Sequence, residues 1–191
     1  MDKKRLVVCI TGATGEIYGY RLLLATSKIS EIETFVVLTK DAESLLKYEL
    51  GKTRADIEKL ADHFYDEKDF FAPISSGSFR VDATIIAPCS MKTLAAISTG
   101  YADNLVARAA SVALKDHWPL ILLPRETPLS TIHLESMLKV AQAGGIIMPP
   151  LPPLYHRKET ISELADLTIG RILNMLDIET DLHKEWKPEG Y

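Results

Sequence analysis

The sequence has 191 residues, of which 47% are hydrophobic and 25% are charged, and this fits one compact domain with a full core. The net charge of −4 argues against a protein that binds nucleic acid or another polyanion. No apolar run approaches the roughly 20 residues that a membrane span needs. The two cysteines, Cys9 and Cys89, lie far apart, and we predict reduced, buried thiols in a cytoplasmic protein rather than a disulfide.

Short apolar runs recur along the chain with helical patterns between them. The runs predict strands at residues 5–11, 33–39, 82–87, 119–124 and 145–148. Helices fit the stretches 16–28, 41–50, 54–61, 91–99, 104–116, 131–143 and 161–176. Apolar strands that alternate with helices predict an α/β fold with a doubly wound parallel sheet. Such sheets bind ligands at the carboxyl ends of their strands, so the residues that follow each strand are expected to carry the function.

Two stretches interrupt the alternation of strands and helices. Residues 62–79 are predicted to form a long connection that ends in a Ser/Gly cluster. Residues 149–156, with the sequence PPLPPLYH, are too rich in proline for a helix or a central strand. They predict an extended arm, which either braces the fold or reaches a neighbouring subunit.

The first strand runs into the sequence GATG at residues 12–15, directly before a predicted helix. A glycine-rich turn between a strand and a helix cradles a phosphate in many α/β folds. The glycines at 12, 15 and 19 do not match the dinucleotide fingerprint G-x-G-x-x-G. Thr39 and Lys40 follow the second strand, where an NAD enzyme usually places the acidic residue that holds the ribose. The pattern therefore favours a mononucleotide site.

Polar residues also follow the third and fourth predicted strands. Ser90 and Thr93 are placed to cap the next helix and to leave its first amides for an anion, although an ordinary N-cap has the same pattern. Arg125 and Glu126 follow the fourth strand at the same edge. Polar clusters after four strands together indicate a ligand site more strongly than any one of them alone.

Several other side chains have alternative interpretations. Arg108 and Lys115 lie seven residues apart on one helical face, where they fit either one shared anion or a solvated surface. Arg171 is predicted on an apolar stripe of the last helix, where a buried arginine needs an anionic partner. Phe70 and Phe71 favour core packing over a platform for a ligand. The five histidines show no metal-ligand spacing, so no metal site is predicted.

Five segments, TGATGEIYG, SSGSF, APCSMKTLAAISTGYADNLVARAA, LPRETPLSTIHLESML and MPPLPPLYHR, together resemble the UbiX-type flavin prenyltransferases over residues 4–176. The resemblance implies a flavodoxin-like Rossmann fold in residues 1–176, followed by a tail at 177–191, and a dodecamer. It implies metal-independent transfer of a dimethylallyl group from dimethylallyl phosphate or pyrophosphate to N5 and C6 of reduced FMN. The product, prenylated FMN, would pass to a UbiD-type decarboxylase. Because members of the family act beside such a decarboxylase, they were long labelled aromatic acid decarboxylases themselves.

The resemblance also implies roles for individual residues. The residues that would hold FMN are Gly12, Ala13, Thr14, Gly15, Thr39, Ser90, Met91, Lys92, Thr93 and Arg125. The residues that would bind the donor's phosphate are Arg108, Lys115, Arg125, Tyr155 and Arg171, with Tyr155 and Arg171 reaching the site from a neighbouring subunit. Glu49 and Glu126 match the carboxylates that manage protons, and Thr14 is also a catalytic candidate. Phe70 would lie over the prenyl group, where some relatives have tryptophan.

Three alternatives remain open at this point. An FMN-dependent cysteine decarboxylase of the same fold is disfavoured because the chain has no Pro-x-Met-Asn signature. An NAD(P)-dependent reductase is suggested by TGATG and is disfavoured by the missing ribose acid. A non-enzymatic FMN carrier, or a structural subunit of a decarboxylase complex, is disfavoured because Glu49, Arg125 and Arg171 are all present.

Overall fold

Buried valine, isoleucine and leucine residues form the central strands, as expected for a sheet that is covered on both faces. The structure is a computed structural model that describes residues 3–151, 153–156 and 158–182. Its strands are β1 (Lys4–Ile10), β2 (Ile32–Leu38), β3 (His63–Asp66), β4 (Ala83–Cys89), β5 (Leu120–Pro124) and β6 (Ile146–Ile147). Its α-helices are α1 (Glu16–Thr26), α2 (Lys40–Leu50), α3 (Arg54–Glu58), α4 (Met91–Thr99), α5 (Leu105–Lys115), α6 (Thr131–Gln142) and α7 (Ile161–Met175).

The strands form one parallel sheet in the order β3-β2-β1-β4-β5-β6. Without the short edge strand β3, the remaining strands have the order 2-1-3-4-5, which is that of flavodoxin-like folds. The predicted α/β class and doubly wound sheet are therefore confirmed. The strand order reverses between β1 and β4, and in such sheets the crevice at this point is where a ligand binds.

Strand β3 lies inside residues 62–79, which the sequence analysis treated as one long connection, so that prediction is wrong for His63–Asp66. This strand pairs with β2 at the edge of the sheet, and the His63 ring stacks on Phe35 with 4.6 Å between the ring centroids. Its residues are exposed or half-buried. An edge strand this short and this polar has no apolar run by which to recognise it.

Alternate residues of the central strands pack into two core layers. Leu6, Val8 and Ile10 of β1 face the layer under α1, α2 and α7. Val7 and Cys9 face the layer under α4 and α5. Cys9 and Cys89 are both buried and unpaired, as predicted, and burial raises the pKa of both thiols.

The C-terminal segment continues to contact the core past α7. Ile178 is buried, and the Lys4 ammonium donates to the carbonyl of Leu176 at 2.7 Å. The domain boundary at residue 176 stays a prediction, and residues 183–191, including Trp186, lie outside the described residues. Within the described ranges, no helix combines the length and apolar character that crossing a membrane requires.

Candidate active site

The turn between β1 and α1 is shaped by close packing against the start of α2. A Cβ atom at Gly12 would lie 2.4 Å from Cβ of Asp41, so only glycine fits there. Gly15 has a φ of 105°, in the left-handed region that favours glycine. The Ala13 amide donates to the Thr11 carbonyl at 2.7 Å, and Thr14 is exposed. The turn is therefore a tight backbone loop that presents Thr14 at the carboxyl edge of the sheet.

The Glu49 side chain joins α2 to this turn. Its carboxylate accepts hydrogen bonds from the Gly15 amide, at 3.0 and 3.2 Å to its two oxygens, and from the Glu16 amide at 3.0 Å. These are the first amides of α1, where the helix dipole favours a negative charge. The structure thus brings the predicted proton-handling carboxylate and the predicted glycine turn into one unit.

Thr11 connects the glycine turn to the loop after β4. Its hydroxyl donates to the Pro88 carbonyl at 2.9 Å and accepts from the Ser90 amide at 2.8 Å. The Ala87–Pro88 peptide bond is cis. Thr11 is buried, and both loops follow strands that flank the point where the strand order reverses. Thr11 was not among the predicted site residues, because nothing in the local pattern marks a contact with a loop 77 residues away.

The loop after β4 ends in a capped helix. The Ser90 hydroxyl accepts from the Thr93 amide at 3.2 Å, which is the predicted N-cap. Met91 and Lys92 are the first residues of α4, and the amides there have no acceptor within the helix. Lys92 and Thr93 also line a cleft of about 330 Å³ beside α5. The Ser90–Thr93 turn therefore offers backbone donors at the predicted edge.

Thr39 and Glu67 lie on the β2 side of the site. The buried Thr39 hydroxyl accepts from the Ala42 amide at 3.3 Å and caps α2. The Glu67 carboxylate accepts from the Lys40 amide at 3.2 Å, and its carbonyl accepts from the Leu105 amide at 2.8 Å. Glu67 thus links the starts of α2 and α5, and no local sequence pattern marks this role.

Arg125 and Glu126 follow β5 as predicted, and both are exposed. The Arg125 amide donates to the Cys89 carbonyl at 3.3 Å, which places the residue beside the β4 loop. The Glu126 carboxylate accepts from the neighbouring Thr127 amide at 2.9 Å. Both residues therefore lie at the same edge of the sheet as the glycine turn.

Arg108 and Lys115 of α5 both meet the Ser/Gly loop at residues 75–78. The Arg108 Nε donates to the Ser75 carbonyl at 2.8 Å. The Lys115 ammonium bonds both Asp116 oxygens at 2.8 Å, and a Cβ at Gly77 would lie 2.5 Å from that nitrogen. Glycine at position 77 lets the loop approach this ion pair closely. The structure therefore brings the two predicted cations to one loop.

Phe70 and Phe71 are exposed, so the prediction that they pack in the core is wrong. Phe70 is 42% exposed, and the ring of Phe71 is fully exposed. The Phe71 amide donates to the Asp69 carboxylate at 3.0 Å, which fixes a turn directed away from the core. Phe70 is thus available to a ligand or to another subunit.

The prediction that Arg171 lies on a buried stripe is also wrong. The buried face of α7 is centred on Ala165, Ile169 and Ile172, whereas Met175 is 36% exposed. Arg171 therefore faces outward, where its Nη1 donates to the Asn174 side chain at 3.2 Å. Tyr155, in the short 3₁₀ turn Leu154–His156, is 58% exposed. Neither the contact of Arg171 with Asn174 nor the exposure of Tyr155 places these side chains at the glycine turn.

The reductase hypothesis requires a Tyr-x-x-x-Lys pair, and Tyr48 and Lys52 do have this spacing. In the structure Tyr48 is almost fully exposed on α2. The Lys52 ammonium lies 5.4 Å from the centroid of the Tyr20 ring, so it is engaged elsewhere. In the described part of the chain, no group of three or more His, Cys, Asp or Glu is arranged to hold a metal ion.

The fold and the site together define a flavoprotein. The sequence matches the flavoprotein family over residues 1–178. The flavin prenyltransferase UbiX of Methanocaldococcus jannaschii is 42% identical over 182 residues, which are 95% of this chain and 98% of that protein.

Solved structures agree with this assignment. AnUbiX (PadA1), in complex with FMN and dimethylallyl pyrophosphate, has a TM-score of 0.94 at 44% identity and covers 97% of this chain and 98% of its own. A dodecameric FMN-dependent UbiX-like decarboxylase from Escherichia coli O157:H7 has a TM-score of 0.93 at 43% identity, covering 96% and 99%. The chain belongs to the UbiX family of flavin prenyltransferases. The cysteine decarboxylase and reductase alternatives are not favoured.

Proposed function

We propose that this chain joins the dimethylallyl group of dimethylallyl phosphate or pyrophosphate to N5 and C6 of reduced FMN. The observation that carries this proposal is the Glu49 carboxylate, which accepts hydrogen bonds from the Gly15 and Glu16 amides at the point where the strand order reverses. A base at this position suits a reaction in which a ring proton must leave. Reduced FMN supplies the nucleophilic nitrogen and the ring carbon of the two new bonds.

The residues at the strand ends fit a flavin mononucleotide. Two features support the fit of FMN to these residues. The Gly12 backbone packs so closely on Asp41 that no Cβ has room there, and the first amides of α4 are donors without an acceptor in the helix. We infer that FMN is held by the Gly12–Gly15 turn with Ala13 and Thr14, by Thr39, by the Ser90–Thr93 turn with Met91 and Lys92, and by Arg125. Phe70 would offer an aromatic face to the cationic prenyl carbons.

The phosphate-binding candidates are Arg108, Lys115, Arg125, Tyr155 and Arg171. Several cations around a departing phosphate stabilise the charge that develops on it. Arg108 and Lys115 meet at the Ser/Gly loop within one chain, whereas Tyr155 and Arg171 face outward. We therefore infer that Tyr155 and Arg171 complete the site of a neighbouring subunit in a homo-oligomer. The E. coli O157:H7 relative is dodecameric, and we propose the same assembly here.

Proton transfer would fall to Glu49 or Glu126, since both carboxylates lie at the same edge as the proposed flavin site. The product would be consumed by a UbiD-type decarboxylase. We propose a cytoplasmic reaction, supported by the two buried, unpaired thiols.

The test is anaerobic incubation of the purified protein with reduced FMN and each donor in turn, with EDTA present. Mass analysis of the released flavin should show one added prenyl group with at least one donor. Glu49→Gln serves as the matched variant and should yield little product under the same conditions. Recovery of unmodified FMN with both donors would contradict the proposed function. Activity that EDTA abolishes and Mg²⁺ restores would contradict the metal-independent site.

A further inference from the structure

Glu16, the first residue of α1, is fully buried, and the reaction proposed above leaves it without a role. Neither of its carboxyl oxygens has a hydrogen-bond partner among the residues that the structure describes. Burying a carboxylate without a partner has a high free-energy cost, whereas burying the neutral acid costs far less. An unsatisfied buried polar group of this kind calls for a physical explanation.

The neighbour of Glu16 is the Glu49 carboxylate, which accepts a hydrogen bond from the Glu16 amide at 3.0 Å. The amide donors at the start of α1 thus point at the Glu49 carboxylate. The Glu16 side chain receives none of these donors. The charge of Glu49 acts on the buried Glu16 carboxyl, and two such coupled carboxyl groups do not both ionise readily, so one of them keeps a proton.

The electrostatics indicate that Glu16, rather than Glu49, is the carboxyl group that keeps the proton. Burial, and secondly the charge of Glu49, raise the pKa of Glu16 to about 9. Of the other titratable groups on the elements packed against α1, Asp166 pairs with Arg21, Lys52 lies over Tyr20, and burial raises the pKa of the thiols Cys9 and Cys89. The remaining charged residues of α2, which are Lys40, Asp41, Glu43 and Lys47, are not among the causes that raise the pKa of Glu16. Of the described groups, Glu49 supplies the charge that acts on Glu16.

We infer that Glu16 is a positioning residue for Glu49: the pair carries one proton at neutral pH, Glu16 holds it, and Glu49 remains ionised against the glycine turn. If Glu16 became charged, it would repel Glu49 and compete for the same amides at the start of α1. The neutral acid therefore keeps the base in place. The catalytic part of this inference rests on the proposed function, while the proton assignment does not.

Infrared spectroscopy of the full-length protein tests the proton assignment directly, because a protonated carboxyl group absorbs apart from carboxylates. The wild type should show this band at neutral pH, and Glu16→Gln should lack it. Glu31→Gln, at an exposed glutamate before β2, is the matched control and should retain the band. In Glu49→Gln the band should remain, and its titration midpoint should fall by about one pH unit as the neighbouring charge is lost.

Two infrared results would overturn the inference. One is a wild-type spectrum without the band at neutral pH, and the other is a band that persists unchanged in Glu16→Gln. If Glu16→Gln does not fold, Glu16→Met replaces it, since methionine has a similar length and is neutral. These readouts need no turnover, so they decide the proton assignment even if the protein transfers no prenyl group.

Prenyl transfer tests the positioning role. Wild-type turnover should fall as pH rises through the midpoint of the Glu16 band, by about tenfold one pH unit above it. Glu16→Gln mimics the neutral acid, so it should keep neutral turnover and lose this alkaline decline. An identical alkaline decline in wild type and Glu16→Gln would overturn the positioning role.

Discussion

The two halves of the proposed site differ in how far one chain completes them. The switch-point turns, residues 11–16 and 88–93, are joined through Thr11 and closed by Glu49, with hydrogen bonds of 2.8 to 3.2 Å. The phosphate-binding candidates are instead spread over α5, the β5 loop, the proline-rich arm and α7. Arg171 bonds only a residue of its own helix among the interactions described for its side chain. From this comparison we propose that flavin binding is organised within a chain, whereas donor binding depends on assembly.

Glu49→Gln is expected to have the largest effect, because it alters the centre of the switch-point turns. Glutamine keeps the size of the side chain but removes the base, so turnover should fall by about 10²–10⁴-fold. Single-turnover spectroscopy with reduced FMN and donor measures this step. Glu126→Gln is the comparison variant. If Glu49→Gln turns over normally and Glu126→Gln loses turnover, proton transfer is carried out by Glu126 in the loop after β5 instead of by Glu49.

Arg171→Ala tests the other half of the comparison. If Arg171 holds the donor phosphate across a subunit interface, its loss should cost about 2–4 kcal/mol of transition-state stabilisation. Part of this loss should appear as weaker donor binding, with FMN affinity almost unchanged. Arg54→Ala, at a half-buried arginine paired with Glu58, is the control and should change neither affinity.

Titrations with FMN and donor, together with sedimentation, separate the outcomes for Arg171. Loss of FMN affinity with normal donor affinity would contradict the phosphate assignment. A fully active monomer would show that the site is complete within one chain, and the contrast between the two halves would fail.

The sequence was sufficient to predict the central part of the fold and the strand ends where the site forms. The apolar runs of β1, β2, β4 and β5 have the length and composition of buried parallel strands, and polar residues follow each of them. Contacts between distant segments were not predictable in the same way. Thr11 and Glu67 act through loops that only the tertiary fold brings together.

The face of α7 shows a second limit of the sequence. Leu164, Leu167, Ile172 and Met175 suggested a stripe that includes Arg171, but helical spacing alone allows more than one apolar face. Packing against α1 selects the face centred on Ile169 and Ile172. The apolar side chains of α7 that stay exposed outside this face are available for a contact with another molecule. The sequence of one chain does not identify that contact.

Glu16→Gln should also change how stability depends on pH. The folded chain holds the Glu16 proton up to a pKa of about 9, whereas the unfolded chain releases it near the ordinary value of 4.5. Between these values the unfolded state binds fewer protons, so the wild type loses stability as pH rises. Glutamine removes this loss, and the advantage of the variant should grow by about 4 kcal/mol from pH 5 to pH 8.

Chemical unfolding at both pH values, at matched protein concentration, measures this difference. Glu31→Gln is again the control, because its exposed side chain should leave the pH dependence of the wild type unaltered. A stability advantage of Glu16→Gln that is equal at pH 5 and pH 8 would mean that Glu16 is already ionised in the folded protein.

Thr11→Val tests whether the two switch-point turns act as one unit. Valine has nearly the same shape, but it leaves the Ser90 amide and the Pro88 carbonyl without the bridging hydroxyl. The loss of these hydrogen bonds at a buried position should cost about 1–3 kcal/mol of stability. FMN affinity should fall together with stability. Thr99→Val, at an exposed threonine at the end of α4, is the control. Unchanged FMN affinity in a destabilised Thr11→Val would separate the bridge from the flavin site.

Asp116→Asn should have the smallest effect and concerns the donor half alone. The Asp116 carboxylate pairs with the half-exposed Lys115 beside the Ser/Gly loop, and such a pair contributes at most about 1 kcal/mol to stability. Removing the carboxylate frees the Lys115 charge for a phosphate. Donor affinity should therefore rise by about two- to fivefold, an increase that salt reduces, while FMN affinity stays constant. The gain should be larger for the pyrophosphate donor, which carries more charge.

Asp181→Asn, at an exposed carboxylate after α7, is the control for Asp116→Asn. Weaker donor binding in Asp116→Asn would contradict the prediction. It would mean that the Asp116 carboxylate orients Lys115 for the donor rather than competing with the donor for Lys115.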